Sequence, residues 1–167
     1  MPFVVDAMLG KLARWLRIIG HDTVYDPSLE DEELISVAKS DGRILITRDT
    51  DLFRRAMKEG ATSFLINSLT LSEELVEMSL ILKGAYVGSR CTLCNTPLVE
   101  VERSAVSDEK VPKISPLSLC PGCGKIYWHG GHWKGINKTL SVLHHGDAFV
   151  LARGRRLSGE TRQERGG

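Results

Sequence analysis

"RILITRDTDLF", residues 43–53, is the stretch that decides the fold. Ile44, Leu45 and Ile46 run together without a polar break, the pattern of a strand covered on both faces. "DLFRRAMKEG" (51–60) then reads as a helix stopped by Gly60. A doubly covered strand leading straight into a helix is one βα unit, and such units build a mostly parallel sheet with helices on both faces. Asp49 and Asp51 stand where the strand should give way to the helix, two like charges at the edge of the core.

The alternation continues in both directions. "FVV" (3–5) is a short apolar strand. "MLGKLARWLRIIG" (8–20) is helical, with Leu9, Leu12, Ala13, Leu16 and Ile19 on one face and Lys11, Arg14 and Arg17 largely off it. "DTVYD" (22–26) is a strand, and "SLEDEELISVAKSDG" (28–42) a helix whose acidic first turn suits the positive end of its dipole. "TSFLI" (62–66) and "LSEELVEMSLILKG" (71–84) complete the pattern, with Ser72 the expected N-cap of the last helix. The expected fold class over residues 1–84 is α/β.

After Gly84 the hydrophobic runs shorten and Cys, Pro and Gly appear. We expect a second, small domain over residues 85–145 and a polar, Arg-rich mobile tail over 146–167. Residues 1–84 carry 10 Lys and Arg against 14 Asp and Glu, whereas residues 85–167 carry 12 against 7. An acidic half joined to a basic half suits a metal-using part beside a polyanion-holding part. No apolar run approaches the roughly 20 residues that span a bilayer. "MPFVVDAMLG" has no basic segment ahead of its apolar residues, so no signal peptide is expected and the chain should be cytoplasmic, without a membrane partner.

In a parallel α/β sheet, ligands bind outside the carboxyl ends of the strands. Asp6 ends the first strand, Asp49 and Asp51 follow the third, and Asp31 opens the helix after the second. Carboxylates gathered at one edge repel, and each resists ionising unless a cation neutralises them. Mg²⁺ or Mn²⁺ would do so, activating water and stabilising charge on a phosphate. Each acid alone also suits a helix cap or first turn. The bare string Asp49-Thr50-Asp51 matches a phosphotransferase D-x-D, but Leu52 and Phe53 follow where that motif has Gly or Thr, and the strand is not the first.

Cys91, Cys94, Cys120 and Cys123 form two C-x-x-C pairs, "CTLC" and "CPGC", 25 residues apart. Four thiolates in two such turns make a closed tetrahedral Zn²⁺ site, and a hairpin in residues 103–118 would absorb the long spacing. Two disulfides or a redox dithiol are the alternatives. A module of this kind should unfold without zinc while sparing the α/β half. "GKIYWHGGHWKGINK" (124–138) follows, mixing Tyr127, Trp128 and Trp133 with His129, His132, Lys125, Lys134 and Lys138. Aromatics can stack on unpaired bases while the lysines hold phosphates. Trp128 is read instead as the small core of the module.

The opening "DAMLGKLARWLRIIGHD", the middle "ILITRDTDL" and the later "CTLCNTPL … CPGCGKIYWHGGH" resemble, in that order, the Mut-seven C-terminal ribonuclease domain family over about residues 3–137. The resemblance implies a PIN-like three-layer α/β/α domain followed by a zinc ribbon, and metal-dependent hydrolysis of RNA. On its motifs, Asp6, Asp31, Asp49 and Asp51 match catalytic acids holding Mg²⁺ or Mn²⁺. Lys11 and Arg14 belong to its "GKLARWLR" pattern and would face phosphate. The expected partner is single-stranded RNA, held also by Lys125, Trp133 and Lys134. The competing reading is a non-catalytic RNA- or ribosome-binding zinc-ribbon adaptor, its acids serving as helix caps, and a ribosomal or protein partner is a further expectation.

Overall fold

The computed structural model describes residues 1–82, 89–106, 111 and 117–128. Four strands, β1 (Phe3–Val5), β2 (Thr23–Val24), β3 (Ile44–Thr47) and β4 (Ser63–Leu65), form one sheet in the order β2-β1-β3-β4. Every pairing in it is parallel. The intervening helices are α1 (Gly10–Ile18), α2 (Asp31–Ser40), α3 (Thr50–Lys58) and α4 (Leu71–Ser79). The expected α/β fold is the observed one.

Period-two alternation on the strands decides which helix covers which face. Phe3, Val5, Ile44, Ile46 and Phe64 pack on Leu12, Ala13 and Leu16 of α1 and Leu75 and Met78 of α4. Val4 and Leu45 point the other way, onto Leu34, Ile35 and Ala38 of α2 and Leu52 and Ala56 of α3. Three layers result, with α1 and α4 on one side and α2 and α3 on the other. The apolar face expected for α1 is buried as read, but Arg17, placed off that face, is only 5% exposed. Thr70 rather than Ser72 caps α4, its hydroxyl accepting from the Glu73 amide; Ser72 lies inside the first turn, where no cap can sit.

The second sheet is antiparallel, in the order β5 (Val99–Val101), β6 (Leu117–Leu119) and β7 (Ile126–Trp128). The polar loop or hairpin expected over 103–118 begins with a 3₁₀ turn at Arg103–Ala105, and the strands flanking it, β5 and β6, pair antiparallel; residues 107–110 and 112–116 lie outside the described residues. The boundary expected after Gly84, within residues 83–88, falls outside the described residues. So do His129, His132, Trp133, Lys134, Lys138 and the whole tail.

His21, between α1 and β2, sets its ring edge-on to Phe3 at 5.5 Å. Burial holds its pKa down at about 4, helped by the N-terminal amine and Arg90. Between pH 6.5 and about 4 the unfolded chain therefore takes up a proton that the folded chain refuses, and stability falls as pH drops. Because the ring is only half-buried, the loss should be of order 1 kcal/mol. Urea melts at pH 7 and 4.5 should show that His21→Phe removes this part of the acid destabilisation; an unchanged difference between the two pH values would refute it.

Candidate active site and metal centre

The strand order places β1 and β3 side by side with their connections leaving in opposite directions, the arrangement at which α/β sheets open a crevice beyond the carboxyl ends of their strands. Asp6 stands there directly after β1. It is 9% exposed, and its amide donates to the Ile46 carbonyl of β3 at 3.0 Å. Its carboxylate caps no helix. Oδ2 instead accepts from Thr47 Oγ1 across the seam at 2.7 Å. The same Thr47 hydroxyl accepts from the Asp49 amide at 2.9 Å. Asp6 and Asp49 are thus joined through one buried threonine, although 43 positions separate them in sequence.

The other acids are engaged differently. Asp49 Oδ1 caps α3, accepting from the amides of Asp51 at 2.7 Å and Leu52 at 3.1 Å. Asp51 is strongly exposed and lies 3.5 Å from Arg54. Asp31 meets Arg55 of α3 at 3.1 Å, and Glu32 meets the same guanidinium at 2.6 Å. Glu30 and Glu33 form a reciprocal capping box at the start of α2. Asp49, Asp31 and Asp51 therefore fill the cap and first-turn places that suit them locally, and Asp6 alone does not.

Three side chains at this edge escaped the sequence reading. Thr47 is fully buried. By strand alternation it points, with Asp6, toward the α2 and α3 side, and Arg48 points toward α1 and α4. There Arg48 pairs with Glu74, a buried acid in the first turn of α4. Burial pushes the Glu74 pKa up, against the pull of Arg48 and of the nearby Lys11. Arg48 Nε is buried without a partner. The signal for Glu74 was its spacing: it lies four residues before Met78, on the core side of α4. Lys11 and Arg14 are both exposed on α1. At the start of that helix Gly10 lets the Tyr25 side chain approach closely, since a Cβ there would meet its hydroxyl at 2.5 Å and push the ring aside. That hydroxyl donates to the Ala7 carbonyl at 3.0 Å and braces the turn that follows Asp6.

The four cysteines converge elsewhere. Their sulfurs all lie within 4.8 Å of one another, the only such cluster of potential ligands among the described residues. Cys91 and Cys123 are 3.5 Å apart, and Cys94 and Cys120 3.3 Å. Those separations exceed the roughly 2.05 Å of a disulfide. They approach the roughly 3.8 Å edge of a tetrahedron with 2.3 Å metal–sulfur bonds. The four sulfurs can hold a metal ion such as zinc.

Both turns share one backbone frame. Cys91 donates to the Thr96 carbonyl and Asn95 to that of Cys91; Cys120 donates to the Lys125 carbonyl and Gly124 to that of Cys120. The fifth residue of each turn has positive φ, 66° at Asn95 and 74° at Gly124, a conformation those two residue types tolerate best. Hydrogen bonding with Thr96 lowers the Cys94 pKa to about 6, favouring the thiolate that a metal needs. The Tyr127 hydroxyl sits 3.1 Å from Cys91 Sγ. Trp128, read as the core of this module, is 39% exposed; Tyr127 is the ring that turns inward. Lys125 is exposed, its ammonium 5.6 Å from the Tyr127 ring centre.

A family model described as Mut7-C RNAse domain matches residues 1–140, which takes in the sheet, the crevice and all four cysteines. The chain belongs to this family. Membership in Mut7-C gives it an RNase-type function, and an RNase domain implies RNA as substrate. No curated protein and no solved structure matches the chain. The Mut7-C match includes residues 129–140, where His129, His132, Trp133, Lys134 and Lys138 lie. Among the described residues, no helix is long and apolar enough to cross a membrane.

Proposed function

We propose that this Mut7-C chain is a PIN-like, metal-dependent ribonuclease that hydrolyses phosphodiester bonds of single-stranded RNA. Asp6 carries the reading: a buried carboxylate at the crevice between β1 and β3, tied to Asp49 through Thr47 and used by no helix cap. Asp6 and Asp49 hold Mg²⁺ or Mn²⁺, and Asp31 and Asp51 complete the acid set. The ion pairs that Asp31 and Asp51 now make with Arg55 and Arg54 are exposed, and such pairs are worth less than about 1 kcal/mol, so exchanging them for a metal costs little. When bound, the metal supplies an activated water and charge stabilisation at the phosphate. Thr47 fixes the Asp6 carboxylate in place. On the α1 and α4 side, Lys11, Arg14 and Arg48 would hold the phosphate, with Glu74 fixing the Arg48 guanidinium. Lys125, Trp133 and Lys134 would add contacts to the RNA, and the four cysteines would hold structural Zn²⁺.

The adaptor reading draws on a specific observation: Asp49 caps α3, and the arginines of that helix satisfy Asp31 and Asp51. Titration with Mn²⁺ separates the two. Binding that disappears in Asp6→Asn, together with RNA cleavage that requires Mn²⁺ or Mg²⁺ and stops in EDTA, supports the ribonuclease. Absence of Mn²⁺ binding to a zinc-loaded chain that still binds RNA would establish the adaptor.

A further inference from the structure

Arg17 is a buried cation that the proposed chemistry does not use. It lies in the last turn of α1, and burial lowers its pKa against the favourable pull of Cys91 and Cys94. Its Nε donates to the Thr23 carbonyl of β2 at 3.0 Å. Its Nη1 donates to the carbonyls of Thr92 at 2.9 Å and Leu93 at 3.1 Å, the two residues between the first pair of cysteines. The Arg17 carbonyl accepts from the Arg90 amide at 2.8 Å. Asn95, the positive-φ residue of the same turn, donates to Asp22 at 2.7 Å and accepts from the Thr23 amide at 3.1 Å. One guanidinium therefore clamps the first cysteine turn onto the joint between α1 and β2.

The charges agree with the geometry. Zn²⁺ with four thiolates carries a net charge of −2, and a cation placed behind the ligand loop offsets part of it. A buried arginine, in turn, is tolerable only while its donors are satisfied and an opposite charge is near. Each side supplies what the other lacks. The amino end of α1, with Gly10 and Lys11, borders the crevice that contains Asp6. Towards its other end lies Arg17, about 10 Å from Gly10 at 1.5 Å per residue.

We propose that Arg17 couples the cysteine metal centre to the α/β layer, so that metal occupancy and the order of α1 and β2 rise and fall together. The inference rests on the zinc reading above, and its test is separable from that reading. Hydrogen exchange is followed in the full chain over residues 10–24, with residues 44–58 as the reference, before and after Zn²⁺ is removed by a chelator. Removal should speed exchange in 10–24 at least about tenfold more than in 44–58. Arg17→Met should bind Zn²⁺ about 10–100-fold more weakly in competition with a chromophoric chelator, the usual range for a residue that orients metal ligands. Its Zn²⁺-loaded form should exchange in 10–24 as fast as the metal-free wild type. Arg17→Lys, which keeps the charge without the fork, should fall between. Equal response of the two regions to Zn²⁺ removal overturns the coupling, as does an Arg17→Met chain with wild-type Zn²⁺ affinity. If Arg17→Met does not fold even with Zn²⁺, the wild-type exchange measurement decides alone. A chain that takes up no Zn²⁺ overturns the zinc reading and this inference with it.

Discussion

Asp6→Asn lowers the rate of RNA cleavage by more than about a hundredfold and leaves the fold intact. A hundredfold is about 2.7 kcal/mol of transition-state stabilisation, the scale expected when a metal loses a charged ligand. Asparagine keeps the shape of Asp6 and an oxygen that can still accept from Thr47, so the change removes charge while preserving the seam. Asp49→Asn should behave likewise for a separate reason. Asparagine is as good an N-cap as aspartate, so α3 keeps its cap and the rate loss reports charge alone. Asp49→Ala should lose activity and, in addition, about 1 kcal/mol of stability with the cap. Cleavage rates set beside thermal melts of the three variants resolve these effects. Activity surviving in both asparagine variants after identical purification would identify a contaminating nuclease and remove the assignment.

Cys120→Ser abolishes the metal centre and lowers the melting temperature of the helices by about 10 °C or more. Structural zinc in small modules supplies about 10–16 kcal/mol of apparent binding free energy, comparable to the whole stability of a domain. The sheet β5-β6-β7 has little else to bury and should not survive that loss. A module tethered by a bare linker would unfold alone. Here the bonds of Arg17, Arg90 and Asn95 to the α1–β2 joint carry the damage further. Leaving a buried guanidinium short of two acceptors costs about 2 kcal/mol, which for a domain of some 80 residues is roughly 10 °C. All four α-helices of the described residues belong to the α/β part, so the far-ultraviolet dichroism at 222 nm reports that part selectively. An unshifted helical transition in zinc-free Cys120→Ser would show that the α/β part stands by itself.

The elements legible in the sequence were those with a strong period. Ile44, Leu45 and Ile46 announced a doubly covered strand, and the alternation with amphipathic helices was enough for the fold class. The spacing of the cysteines announced a metal-binding cluster. What stayed hidden were polar groups whose partners are distant in the chain. Thr47 looks like a strand end until Asp6 lies across from it. Arg17 looks like a surface arginine until Thr92 and Leu93 arrive 75 and 76 positions later. Its place, four residues after the buried Ala13, was the available hint. Trp128 was misjudged because residue type suggests burial, whereas register on β7 decides which ring turns inward.

β2 is a two-residue strand at the open margin of the parallel sheet, with β1 on one side only. An uncovered margin offers free amides and carbonyls to any passing strand, and proteins blunt such margins to stay soluble. Asn95 does this here, since its side-chain oxygen occupies the outward amide of Thr23 while its nitrogen holds Asp22. Arg17 occupies the Thr23 carbonyl beside it. The first cysteine turn thus covers the open margin of the sheet. A chain in which that turn let go would expose the amide and carbonyl of Thr23 to pairing with another chain.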